Sequence, residues 1–105
     1  MSNFPYALAS WSLDDAQRIA QQEHLELDNN RLDVVRSLQE YYSRHDSNDI
    51  NVRELHDALD ERFHRQGGMK YLYRLFPGGP VAQGCRIAGL EAPAGAVDRS
   101  FGSVQ

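Results

Sequence analysis

The segment Phe76-Pro77-Gly78-Gly79-Pro80 limits the fold of this chain more than any other. Pro77 and Pro80 have no N–H to give, and neither a helix interior nor a central strand runs through such residues. Three of the four prolines and five of the eight glycines fall between Lys70 and Gly95, so the last third must consist of short elements joined by tight turns. That third also holds the sole cysteine, Cys85, with Tyr71, Tyr73 and Phe76 packed in front of it. Its sequence therefore poses one question: whether Cys85 does chemistry or fills space.

Upstream, apolar residues recur at helical spacing. Residues 1–11 carry Phe4, Tyr6 and Trp11 around Pro5 and read as an extended arm laid on the core, anchored by Trp11. Ser12 is an N-cap, with Asp14 and Asp15 at the positive end of the helix that follows, roughly 13–24, whose stripe is Leu13, Ala16, Ile19 and Ala20. Asp28 caps a second helix, roughly 29–45, with Leu32, Val35, Leu38 and Tyr42 buried, Val34 and Tyr41 on the edges, and Arg31, Arg36, Gln39, Glu40 and Arg44 reaching water. His45–Asp49 is a polar turn. A third helix, roughly 51–66, carries Val52, Leu55, Leu59 and Phe63 and stops at Gly67-Gly68.

Tyr71, Leu72, Leu75 and Phe76 give a short fourth helix, roughly 69–76, apolar on most sides and so expected at the centre of the core. Pro80 suits the first turn of a fifth, with Val81, Cys85 and Ala88 on one face and Gly89 as its C-cap. Five short amphipathic helices with almost no strand signal predict an all-α compact bundle. Its domain is expected over 1–90, with 91–105 a flexible C-terminal arm.

Composition removes several function classes. A chain of 105 residues makes one domain and buries about 60–70% of its unfolded surface. It has no apolar run of membrane-spanning length and no basic-then-apolar leader, and one cysteine closes no internal disulfide, so the cytoplasm is the expected location. The net charge of −4 gives no general attraction for nucleic acid, and the second and third helices show no excess of bases for a helix-turn-helix reader. His24, His45, His56 and His64 lack metal-ligand spacing, so no metal and no cofactor is expected.

Charge is nonetheless uneven. From Arg62 to Arg86 the chain carries Arg62, His64, Arg65, Lys70, Arg74 and Arg86 and no acid. That segment is a solvated face, a docking surface for an acidic partner, or a field that favours a thiolate at Cys85. Against the thiolate stand the apolar face shared with Val81 and Ala88 and the C-terminal half of the helix, where the dipole raises a thiol pKa.

The string KYLYRLFPGGPVAQGCRIAGL, Lys70–Leu90, resembles the signature of the TusE/DsrC/DsvC family of sulfur-relay proteins. Pro93, Gly95 and Val97 extend the match, and Trp11, Leu27, Val34, Tyr41, Tyr42, Arg53 and Leu55 fit it upstream, so the resemblance spans about residues 4–97. It implies a helical domain with a mobile C-terminal arm whose last cysteine, just before a valine, carries sulfur as a persulfide. A second, upstream cysteine is found in the sulfite-reductase-associated branch. Cys85 matches the upstream cysteine, whereas Ala96 stands where the sulfur-bearing one belongs. The chain also continues past Val97, has Glu91 where the family has proline, has Arg31-Leu32 where it has His-Trp, and has too few residues before Trp11 for the N-terminal hairpin of longer members.

Alanine has no thiol to hold sulfur, and two-thiol redox chemistry within the chain is excluded. Two readings follow. One is a docking paralogue, a regulator among sulfur-relay or sulfite-reductase-type partners, that has lost the carrier chemistry. The other is a persulfide carrier, at most a sulfurtransferase in tRNA 2-thiouridine synthesis or dissimilatory sulfur metabolism, that uses Cys85 alone with Arg86 and Lys70 favouring the thiolate. The expected site residues are Cys85 for chemistry and Arg53, Lys70, Tyr71, Arg74, Gln83 and Arg86 for binding. No membrane and no direct nucleic-acid contact is expected.

Overall fold

The computed structural model describes residues 4–96. It contains five α-helices: α1 (Leu13–Gln22), α2 (Asn29–Arg44), α3 (Val52–Arg62), α4 (Met69–Leu75) and α5 (Ala82–Ala88). Single 3₁₀ turns at Ser47–Asp49 and His64–Gln66 precede and follow α3. No strand occurs among the described residues, so the chain is an all-α bundle.

The caps lie where short polar side chains offer them. Ser12 accepts from the Asp15 N–H, Asp28 from that of Arg31 and Asn51 from that of Glu54, each satisfying a donor that the first helical turn leaves unpaired. α1 ends earlier than its apolar spacing predicts. His24 takes a left-handed conformation at φ 62°, and the Leu25 N–H turns back to the Ala20 carbonyl at 2.8 Å. This is a Schellman closure made with a histidine where glycine is the usual residue. α3 likewise stops at Arg62, not at 66. Phe63 leaves helical geometry to bury its ring, and the Gly68 N–H returns to the Phe63 carbonyl at 2.9 Å.

The element at the centre of the core is α5, not α4. Ala82, Gln83, Gly84, Cys85, Ile87 and Ala88 are all buried, whereas α4 buries only Leu72 and Leu75 and leaves Lys70 and Arg74 exposed. α5 begins at Ala82, after Pro80, which is itself buried in the turn ahead of it. Seven residues can be enclosed on nearly every side because small ones let neighbours approach. A Cβ on Gly84 would lie 2.8 Å from Leu38 Cδ1 of α2. At the other end Gly89 has φ 77°, and a Cβ there would come within 2.6 Å of the Trp11 ring.

The N-terminal arm lies over the core as two turns. Phe4 is buried, and its ring meets that of Trp11 edge-on with centroids 4.8 Å apart. Trp11 Nε1 donates to the Ile87 carbonyl at 2.9 Å, which fastens the arm to α5. On α2 the buried set is Val34, Val35, Ser37, Leu38 and Gln39, with Leu32 and Tyr42 half-buried, so the buried face is rotated from the one expected. Two polar residues of α2 expected in water are internal ties instead. Gln39 Nε2 donates to the buried Ala88 carbonyl at 3.0 Å, and Arg31 Nε donates to the Leu75 carbonyl at 2.8 Å. Both reach carbonyls at or near helix C-termini, which need donors from outside the helix. Of the C-terminal arm, residues 91–96 pack against the bundle through Ala92 and Ala96; the arm expected beyond them lies outside the described residues.

Candidate functional site

α5 fixes Cys85 with its side chain wholly enclosed, at 0% exposure. Its nearest polar partner is Tyr42, one helix away: the thiol lies 3.7 Å from the Tyr42 hydroxyl. That hydroxyl donates in turn to the Glu91 carbonyl at 2.7 Å. The S–H, the phenol and a main-chain carbonyl at the start of the C-terminal arm thus form one chain of hydrogen bonds. Tyr42, Leu90 and Glu91 also line a surface cleft of about 410 Å³ with Tyr6, Leu8, Gln39 and Ser43.

Burial dominates the chemistry of this thiol. It pushes Cys85 up to about 11, against a smaller downward effect of the Tyr42 hydroxyl. The Tyr42 phenol is raised as well, by burial first and then by Cys85. No cation figures among the causes acting on the thiol, and the expected help from Arg86 and Lys70 is not there. Arg86 turns away to Glu23, with Nε 2.6 Å from Oε2 and a second bond of 2.8 Å to Oε1. Lys70 stands exposed on α4.

Gln83 and Arg86, expected at the surface for binding, belong to one internal network. Gln83 is buried; its Oε1 accepts from the Gly78 N–H at 2.9 Å and its Nε2 donates to Glu23 at 2.8 Å. Glu23, with only 14% of its side chain exposed, therefore ties α1 to α5. Gln83 closes the Pro77–Pro80 turn onto the same point. Inside the glycine–proline segment the buried Gly78 N–H thus finds its acceptor in a side chain.

Position 96 has different surroundings. Ala96 and Gly95 line a cavity of about 170 Å³ with Val52 and His56 of α3, Tyr73 of α4, and Gly79, Val81 and Ala82 at the entry to α5. Ala96 is half-buried there, and its N–H bonds to the Pro93 carbonyl at 3.2 Å. Arg53 stands beside Val52, and Arg74 beside Tyr73. Both are exposed, as Lys70 is, one turn earlier on α4. Tyr71 is half-buried, tilted against Phe63 with ring centroids 6.3 Å apart. The fold therefore separates the expected site residues into an exposed group, Arg53, Lys70 and Arg74, and an internal group, Gln83, Cys85 and Arg86. Tyr42 and Glu23 escaped sequence reasoning as partners of α5. The signal available was only that Tyr42 lay on an apolar stripe. Among the described residues no group of three or more His, Cys, Asp or Glu is placed to hold a metal ion. No described helix is long and apolar enough to cross a membrane.

The profile of the family described as DsrC like protein matches residues 2–97. The chain belongs to the DsrC-like family. It is similar to the protein named sulfurtransferase TusE of Salmonella paratyphi A, 39% identical over 84 residues that cover 79% of this chain and 76% of that one. It is also similar to sulfurtransferase TusE of Escherichia coli K12, 36% identical over 86 residues that cover 81% and 78%. The fold superposes on the solution structure of DsrC from Allochromatium vinosum with a TM-score of 0.66 and 38% identity, covering 87% of this chain and 84% of that chain. The two positions of interest in this chain are the cysteine at 85 and the alanine at 96.

Proposed function

We propose that this DsrC-like protein serves sulfur relay by docking to sulfur-transfer partners without itself carrying sulfur, as a regulatory or binding paralogue. The observation that carries the reading is the mismatch between access and chemistry. Ala96 lies half-exposed at a cavity mouth and has no thiol, while Cys85 has a thiol and no exposure. Attack on a sulfur donor needs a thiolate with room to approach. With its pKa pushed up to about 11, Cys85 at pH 7 is ionised in only about one molecule in ten thousand. The body that the partners of this family would meet is kept.

Incubation with a small-molecule persulfide donor followed by intact mass tests this reading, with wild type and Cys85→Ser side by side. The expected result is no added sulfur on native wild type. A gain of one sulfur atom on the native protein, lost in Cys85→Ser, would instead make Cys85 a carrier and overturn the reading.

A further inference from the structure

The lysine and arginine side chains among the described residues divide into two sets. Arg18, Arg31, Arg36, Arg44, Arg62 and Arg86 each form an ion pair with a carboxylate, to Asp15, Asp28, Asp33, Glu40, Glu40 and Glu23 respectively. Arg53, Arg65, Lys70 and Arg74 form none among the described residues, and all four are exposed. Arg53 stays unpaired although Asp57 follows it by one turn on α3, and the nearby Asp60 is occupied in accepting the Met69 N–H at 2.8 Å, which caps α4.

Three of these four lie in or just before α4. Lys70 and Arg74 are four residues apart and share a face of α4. Arg65 lies in the 3₁₀ turn just before that helix. The cavity that Val52 and His56 share with Tyr73 brings the start of α3 near α4, and Arg53 and Arg74 are the chain neighbours of its lining residues Val52 and Tyr73. Ala96 lines the same cavity.

We infer that Arg53, Arg65, Lys70 and Arg74 form a docking face, centred on the cavity at Ala96, for an acidic surface of a partner protein. The inference rests on the docking reading above and adds the chemistry and the place of contact. Cations left without internal partners on a chain of net charge −4 form a local field opposite to that of the whole, which orients an acidic partner and speeds its encounter. A protein fits better than a nucleic acid, because four cations neutralise few phosphates. The face also places the partner at position 96 and leaves Cys85 beneath the body of α5.

The test is amide shift mapping of the full chain by NMR, with a polyglutamate peptide as probe and an RNA oligonucleotide of equal charge as rival. Polyglutamate is expected to shift amides around Arg53, Arg65, Lys70 and Arg74, and to lose binding in high salt. In Lys70→Ala/Arg74→Ala, whose substituted side chains are exposed, binding should weaken about three- to tenfold. Shifts spread over the paired arginines, no loss in the double variant, or tighter binding of the RNA at the same residues would overturn the inference. Localised binding together with a Cys85-dependent sulfur adduct would keep this face and discard the non-carrying reading. No localised binding and no adduct would do the reverse.

Discussion

Cys85 and Ala96 belong to the same fold and differ in access: one is enclosed, the other half-exposed. The first is set in α5, where six of seven residues are buried and the approach of Trp11, Leu38 and Gln39 leaves no room for a donor. The second sits half-exposed on a loop over a small cavity. The difference shows how burial sets what a thiol is free to do. Enclosure removes both the approach of a reagent and the solvation of the thiolate. An open loop position leaves room for a reagent whatever side chain it carries.

The largest expected effect reverses that contrast. Ala96→Cys should acquire one sulfur atom from a persulfide donor where wild type acquires none, read by intact mass. An Ala96→Cys protein as inert as wild type would mean that the cavity at position 96 is not a place where a thiol reacts. Next comes the network that encloses α5. Glu23→Ala leaves Arg86 and the Gln83 amide without their shared acceptor and should cost about 2–3 kcal/mol in denaturant unfolding. A loss below about 0.5 kcal/mol would mean that the network is surface decoration.

A similar effect is expected from pH. The folded thiol holds its proton up to about 11, whereas the unfolded one releases it near the ordinary thiol value. Between those values the folded state binds more protons, so stability falls as pH rises, by about 2–3 kcal/mol from this group at most. The contribution is fully present below the lower value and gone above about 11. Cys85→Ala should flatten that part of the stability profile, and an unchanged slope would place the thiol in a more solvated setting.

Much of this architecture was legible in advance, and the reasons are local. Ser12 and Asp28 announce their helices because a short acceptor at the N-cap acts within three residues. The prolines and glycines from Pro77 to Gly89 bound α5 because their backbone limits act on the spot. What sequence reasoning could not reach was the destination of long polar side chains. Gln39 and Arg31 looked like solvent-facing positions on α2, yet they tie carbonyls 49 and 44 residues away. Arg86 looked like an activator of its neighbour Cys85 but is held by Glu23, 63 residues back. Helical periodicity shows which face is apolar; it carries no information about which distant carbonyl or carboxylate a flexible polar chain will meet. For the same reason α5 looked half-exposed and α4 central. Gly84 and Ala88 reveal how tightly α5 is enclosed only once α2 and Trp11 are in place.

The claim that Cys85 is a core residue and not a reactive one is tested most directly by the pH dependence of its alkylation in the native protein. With one cysteine in the chain, the rate reports that thiol alone. The inflection should fall at about 11, and the native rate at pH 7 should be about a hundredfold or more below that of the unfolded chain. An inflection at or below the ordinary thiol value, with native and unfolded rates alike, would contradict it.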